Sequence, residues 1–353
     1  MTITSLDNFG HASGSISMSE LRDYYGKSGS VSLGLNLSGT DTAVPSSVPL
    51  YTQTLSFSNY RSKNRILRKK GTTETKASGT SWSPAQSGCV QYNVYAVGAG
   101  GSGGGHSTDS GREKVASGGA AGGTAFRRYS VQDHAISNAS ILIGSGGTGT
   151  SYPASSGSVR SGHNGGNTIF NPNGSGTTIS ATGGSRGFGG RQGAIDATVT
   201  STLPVGENST STTIGAWGTV PASLGGSGSG GESNYTGGNG PGFSIGGDGS
   251  GATGGGSPNL GSGGVNGSTI GAGGYAKGAT TGAPTKPSEW GSDVSVTFQG
   301  GAGVQHSSGA AGASDAGNNY GAGSGGSASE SGAGSSASGS SGAIFVTYYE
   351  VNT

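Results

Sequence analysis

The chain has 353 residues, of which 79 are Gly and 11 Pro, about a quarter of its length; charged residues make up 10% and apolar residues 29%. That composition excludes an ordinary helical or α/β enzyme and approaches the level at which low-complexity behaviour sets in. A formal net charge of +1 gives no global field for capturing nucleic acid or a membrane surface, and the single cysteine, Cys89, excludes an intramolecular disulfide framework and a cysteine-based zinc site.

The first ten residues, Met1 to Gly10, contain neither a basic segment nor an apolar one, and no apolar run of 18 residues occurs in the sequence. The expectation is a protein without a secretory leader or membrane span, made in a cytoplasm and released by lysis. Composition shifts near residue 90: the first 90 residues hold 9 Gly and the remainder 70, and the formal charge changes from +4 to −3. Two regions are expected, 1–80 and 81–353.

In the first region, Ser17-Met-Ser-Glu20 fits a capping box, in which the Ser hydroxyl and the Glu carboxylate each take an amide of the opening turn. The spacing predicts a helix over 18–25 ended by Gly26, with Leu21, Tyr24 and Tyr25 as its apolar face. Eight helical residues need a partner surface, so these three residues are candidates for assembly docking. The segments 29–33 and 50–57 alternate with period two and read as strands. Next comes the one dense charge run, Arg61-Ser-Lys63-Asn-Arg65-Ile-Leu-Arg68-Lys69-Lys70. It is either a docking surface for an acidic partner, with Arg61, Lys63, Arg65 and Arg68 as its contacts, or a solvated face. Without interleaved aromatics it does not suit nucleic acid.

The second region opens with the strand-like Val90–Val97 and ends with Ala343–Val351, both rich in β-branched and aromatic residues. Between them, 140–143, 167–170, 177–181 and 294–298 are shorter candidates. A small β-sandwich whose first and last strands pair is the economical reading. The glycines follow their own rule. From Gly225 to Gly273, steps of three land on Gly at 12 of 17 positions, against 5 in each of the other registers. Three residues per turn is polyproline-II geometry, and glycine along one edge lets backbones approach closely. The breaks in register and the scarcity of Pro exclude collagen, and interspersed Ile, Phe, Tyr and Trp argue against a flexible linker. Short left-handed glycine helices packed side by side are expected, their amides bonded across to neighbours. The fold class is therefore all-β with packed polyglycine-II-type helices.

Trp82-Ser-Pro-Ala85, Val90–Val97, Gly98-Ala-Gly-Gly-Ser-Gly-Gly-Gly105, Ile141-Leu-Ile-Gly-Ser-Gly-Gly-Thr148 and Ser341-Gly-Ala-Ile-Phe-Val-Thr-Tyr348 together resemble the glycine-rich domains of bacteriophage tail fibres and tail-tip adhesins. The run Ile16–Gly26 followed by Val31-Ser-Leu33 resembles a short motif of tail-fibre and other virion structural proteins. The resemblance implies a virion component, mounted through its N-terminal region on other tail or fibre proteins, a homotrimer by analogy with fibres. Variable loops would contact a bacterial surface receptor, protein or lipopolysaccharide. The other class is a decoration protein of capsid or tail that meets no receptor.

Glycine-rich sequence also produces empty motifs. Two G-x-S-x-G matches at Gly100 and Gly183 lack a strand before and a helix after, and Gly26-Lys27-Ser28 lacks the opening glycine of a phosphate loop. The five histidines, His11, His106, His134, His163 and His306, show no ligand spacing. No enzyme, cofactor or metal site is expected, and Cys89 reads as a small buried hydrophobe. Aromatics of the glycine-rich region, Tyr152, Phe188, Trp217, Tyr235, Phe243, Tyr275, Trp290 and Tyr320, either anchor loops or meet the receptor. Trp217, Tyr235, Phe243 and Trp290 are the receptor-contact candidates, because rings dominate binding energy.

Overall fold

The computed structural model describes residues 66–106, 114–131, 138–153, 159–173, 176–191, 194–195, 212–213, 219–220, 225–235, 250–252, 275–276, 286–296, 300–301, 303–306, 320–329 and 333–352. Strands dominate, and among the described residues the only helical turn is a 3-10 turn at Ser288–Trp290. The helix over 18–25 and the strands at 29–33 and 50–57 lie outside the described residues, as does most of the 225–273 window.

Ten strands form two five-stranded sheets. In chain order they are β1 (Leu67–Lys76), β2 (Ser81–Trp82), β3 (Gln91–Val97), β4 (Thr124–Ser130), β5 (Ala139–Leu142), β6 (Thr168–Asn171), β7 (Ile179–Ala181), β8 (Gly228–Ser229), β9 (Ser233–Tyr235) and β10 (Ala343–Val351). The first sheet runs β1-β10-β3-β4-β9 and the second β8-β7-β6-β5-β2, all neighbours antiparallel. The expected pairing of the first and last strands of the glycine-rich region is present, with Val94 opposite Val346. The first sheet also takes in β1, from the N-terminal side of the boundary drawn at residue 80. Low glycine content marks the composition of that stretch but not its packing.

Alternation along β3 explains the layering. Tyr92, Val94 and Ala96 point to one face, where they join Ile344, Val346 and Tyr348 from β10 and Ile141, Phe170, Ile179 and Ala181 from the second sheet in one buried cluster. Trp82 lies at its centre, edge-on to Tyr92 and Phe170 at ring distances of 5.6 and 5.4 Å and stacked on Tyr348. The Trp82 Nε1 donates to Glu74 at 3.1 Å, and the Tyr348 hydroxyl donates to the same carboxylate. Val97, Phe345 and Ala343 face the other way and pack against Trp290 and Val294. Val294 lies in no ladder, so the strand expected at 294–298 is replaced by a strap over this face; residues 297–299 lie outside the described ones.

The glycine-rich segments continue the strands. β3 runs into 98–104, β4 is preceded by 117–123, and 144–150, 161–167, 182–188 and 336–342 extend β5, β6, β7 and β10 in the same way. Segment 98–104 is surrounded. The amides of Gly98, Ala99, Gly100, Gly101 and Ser102 donate in turn to the carbonyls of Gly123, Gly166, Ser340, Ala120 and His163, so the partner segment repeats every third residue. The carbonyls of Ala99, Gly100, Gly101 and Ser102 accept in turn from Gly184, Gly147, Ser324 and Gly187. Three segments receive its bonds and three others supply them. Serine hydroxyls complete the pattern from within: Gly103 N donates to Ser324 Oγ at 2.9 Å, and Ser324 Oγ donates to the Ala337 carbonyl at 2.6 Å. Side chains also enter this packing, since Ser102, Ser324 and Phe188 are fully buried.

Such spacing needs glycine at points of close approach. A methyl group on Gly101 would overlap the Ser185 carbonyl, and one on Gly103 the Gly325 carbonyl, backbone atoms that cannot swing away. Gly101→Ala should therefore lower stability by about 3 kcal/mol, at the upper end of the cost of overpacking a tight core. Ala99→Gly, which only removes a methyl group, should lower it by less than about 1 kcal/mol. Denaturant unfolding of the two variants measures the difference.

Candidate functional site

The two sheets and the glycine segments set up two poles. Leu67 is opposite Val351 at one end of β10, while Ala343 at its other end follows directly on segment 336–342. Residues 1–65 therefore precede the sheet at the end farthest from the glycine segments. At the opposite pole the segments finish in short ladders that form a rim. Gly105–His106 pairs with Val159–Arg160 and with Ser327–Ser329, Lys114–Ala116 pairs with Gly189–Arg191 and Ser250–Ala252, and Ser151–Tyr152 pairs with Gly334–Ser335. From Gln91 to Gly104 the chain spans roughly 42 Å at about 3.1–3.3 Å per residue.

The sequence stretches 107–113, 154–158, 192–193 and 330–332 each leave and rejoin the described chain at the rim. Loops on a rigid scaffold are the usual site of recognition, which makes the rim the candidate site. Its inner support is built from the aromatics. Tyr152 is buried with its hydroxyl 2.8 Å from Ser327 Oγ, and burial raises that phenol to about 12. Phe188 is fully buried, and Tyr320 packs edge-on to Phe345.

Among the receptor-contact candidates, Trp290 is corrected: it is fully buried, stacked on Phe345 at 4.3 Å and edge-on to Tyr95. Its role is to close the outer face of the first sheet. A ring in a glycine-poor neighbourhood is as useful to a core as to a surface. Tyr235 sits in β9 opposite Thr124, in the first sheet and not in the rim ladders, and its side chain lies outside the described residues. Trp217 and Phe243 also lie outside them.

Of the docking candidates, Leu21, Tyr24, Tyr25, Arg61, Lys63 and Arg65 lie outside the described residues. Arg68 is on β1, its side chain 51% exposed, and pairs with Glu350 at 2.8 Å; Lys70 reaches the other oxygen of the same carboxylate at 2.9 Å. Lys69 pairs with Asp293 of the strap and donates to the Glu289 carbonyl at 2.6 Å. The described end of the basic run is thus bound to acids of its own chain. Those acids come more than 200 residues later in the sequence, and no local signal announces them.

Glu289 accepts from Asn93 Nδ2 at 2.8 Å and from the Tyr349 hydroxyl, and Asp293 accepts from the Thr73 amide at 2.7 Å. The strap is thereby latched to β1, β3 and β10. Burial alone would raise the Glu74 carboxyl, but hydrogen bonds from Lys76, Tyr348 and Trp82 bring it below its ordinary value. Cys89 is buried as expected, and burial pushes its thiol up. Among the described residues no three His, Cys, Asp or Glu side chains gather in a way that could hold a metal, and no helix is long and apolar enough to cross a membrane.

No protein-family model matches the chain, and no curated protein sequence matches it significantly.

Hydrogen bonds from Lys69 and Thr73 hold Asp293 below the usual carboxylate range, and those from Lys70 and Arg68 do the same for Glu350. A lowered folded-state value contributes stability above the unfolded value and loses it as pH falls through the folded one. Melting temperature should therefore fall on acidification below about pH 4, the ordinary carboxylate value. In Lys69→Met the Asp293 share of that dependence should shrink to what the Thr73 hydrogen bond supplies, giving a shallower decline between neutral and acid pH in thermal scans.

Proposed function

We propose that this chain is a bacteriophage virion protein, a tail-fibre or tail-tip adhesin that recognises a receptor on the bacterial surface. In this reading residues 1–80 attach it to other tail or fibre proteins, and 81–353 form a β-sandwich continued by packed polyglycine-II-type helices whose far end presents the recognition loops.

The observation that carries the reading is the surrounded segment 98–104. Partners that change at every residue and recur at every third are what a threefold left-handed helix offers its neighbours, and six surrounding segments suit a hexagonal bundle. A bundle tied by backbone bonds in three directions does not bend along any one of them, so it holds loops at a fixed distance from the mount. The placement of the two poles supports the same division of labour. Residues 1–65 precede the sheet at one pole, and several sequence stretches leave the chain at the other.

Immunogold electron microscopy of the intact particle, with an antibody raised against residues 81–353, tests the reading. Gold at a distal fibre or tail tip is the expected result. Gold spread over the capsid would assign the chain to decoration instead. A paired measurement addresses the contacts: Trp217→Ala and Phe243→Ala should each reduce adsorption of phage to host cells about tenfold or more, as hot-spot rings do. Trp290→Ala should instead cost about 3–5 kcal/mol of stability in a denaturant titration, through the cavity it leaves in the core.

A further inference from the structure

Three glycine-rich segments, 161–167, 144–150 and 336–342, lie side by side over segment 98–104. The Gly166 amide donates to the Ser145 carbonyl, and the amides of Gly339 and Gly342 donate to the carbonyls of Gly147 and Gly144. Beneath them, the Ala99 and Gly100 amides donate to the carbonyls of Gly166 and Ser340, and the Gly147 amide donates to that of Gly100. This row is one outer face of the bundle. Its exposed side chains recur at every third residue: Ser145 and Thr148 in the middle segment, Asn164 and Asn167 in the second, Ser338 and Ser341 in the third.

The middle segment separates the two kinds of position cleanly. A Cβ on Gly144, Gly146, Gly147 or Gly149 would overlap the carbonyl of Gly166, Gly339, His163 or Ser336, so each of its glycines faces a neighbouring backbone. The residues between them that carry side chains, Ser145 and Thr148, are the exposed ones. Side chains also take up backbone donors along this face. Ser338 Oγ accepts from the Gly149 amide at 3.0 Å. At the margin, Asn164 and Asn167 Oδ1 accept from the amides of Arg186 and Gly183 at 2.9 and 3.1 Å, two side chains three residues apart meeting two amides three residues apart.

We propose that the outward side chains of this row are a stop, which keeps a glycine segment of a second copy of this chain from joining the bundle. Segments within the bundle associate because glycine edges let backbones come within hydrogen-bond reach. A bare glycine edge facing outward would offer the same donors and acceptors to a newcomer, as the free edge of a sheet does. The excluded partner is a second copy because its own outer row consists of the same segments and would return the same edge across a twofold axis. One Cβ is enough to overlap a facing carbonyl at each inward glycine of 144–149, so one Cβ at each outward position holds a second backbone off. The hydroxyl is not what excludes it. The inference concerns the flank of the bundle and is independent of what the rim meets.

Two full-length variants test it. Ser145→Gly/Thr148→Gly/Ser338→Gly/Ser341→Gly bares the outward edge of two adjacent segments, while Ser145→Ala/Thr148→Ala/Ser338→Ala/Ser341→Ala removes the same hydroxyls and keeps every Cβ. Light scattering at rising protein concentration reads assembly, and circular dichroism checks that the strands are intact. The molar mass of the glycine variant should climb toward about twice that of the parent, as mass action requires of a twofold pair. The alanine variant should keep the parent's mass at every concentration. In the associated glycine variant, amide hydrogen exchange across 144–150 should slow at least tenfold. Association of both variants would assign the exclusion to hydration of the hydroxyls and overturn the stop. A parent-like mass for both overturns it as well, and so does association with unchanged exchange across 144–150, which puts the contact elsewhere. Should the fourfold glycine variant lose its strand signal, Ser145→Gly/Thr148→Gly, which bares one segment, replaces it with the same outcomes.

Discussion

A glycine segment that forms neither an α-helix nor a two-partner strand leaves its amides without partners of their own, and burying them requires donors and acceptors from other segments. Segment 98–104 meets that demand on all sides, with carbonyls of three segments accepting its amides and amides of three more feeding its carbonyls. Each bond requires two backbones to come within hydrogen-bond reach, and that distance leaves no room for a side chain on the approaching edge, as at Gly101 and Gly103. The glycine content is therefore a geometric requirement, and its entropic cost is offset by the amides it allows to be satisfied. Serine is the residue that bends the rule. The Ser102 hydroxyl accepts from the His163 amide and donates to the Thr148 carbonyl, adding a side-chain link between those two segments.

The same constraint ties the glycine region to the sheets. Because β3, β4, β6, β7 and β10 run directly into or out of glycine segments, the register of the sheets fixes which segments lie together. The aromatic cluster around Trp82 and the Trp290 strap hold the first sheet from both faces, and through it they hold the start of every segment it feeds. A change in the sheet core therefore has a path to the rim, while the rim ladders, two to four residues long, depend on the bundle beneath them for their order.

Much of this was legible in residues 90–97 and 343–351, whose alternation and β-branched content mark strands that any fold would bury, and in 167–170 and 177–181, which became β6 and β7. β4 escaped because Arg127 and Arg128 interrupt its apolar pattern; one guanidinium lies over the Tyr129 ring and donates to the Gly230 carbonyl, and the other lies over Phe126. The basic run read as either a docking surface or a solvated face because the partners of its described end, Glu350 and Asp293, are remote in sequence. Trp290 looked like a contact residue because a ring amid small residues carries no mark of the Phe345 and Val97 beneath it. The three-residue glycine period was read from 225–273, yet the surrounded segments are only about seven residues long, too short to display a period singly. Their pattern emerges when they are laid side by side.

Sorting of charge then follows from where the chain can accommodate it. A carboxylate or an ammonium finds no room on an edge in backbone contact, and the one charged residue of the described glycine segments, Arg186, keeps partial exposure. At the sheet pole, cations of β1 and β4 meet carboxylates delivered by β10, the strap and Glu232, and they neutralise one another. The rim ladders, two to four residues long, contribute least to holding the bundle together. Sequence change at that pole therefore costs the fold beneath it least, which is where a scaffold can vary the loops it carries.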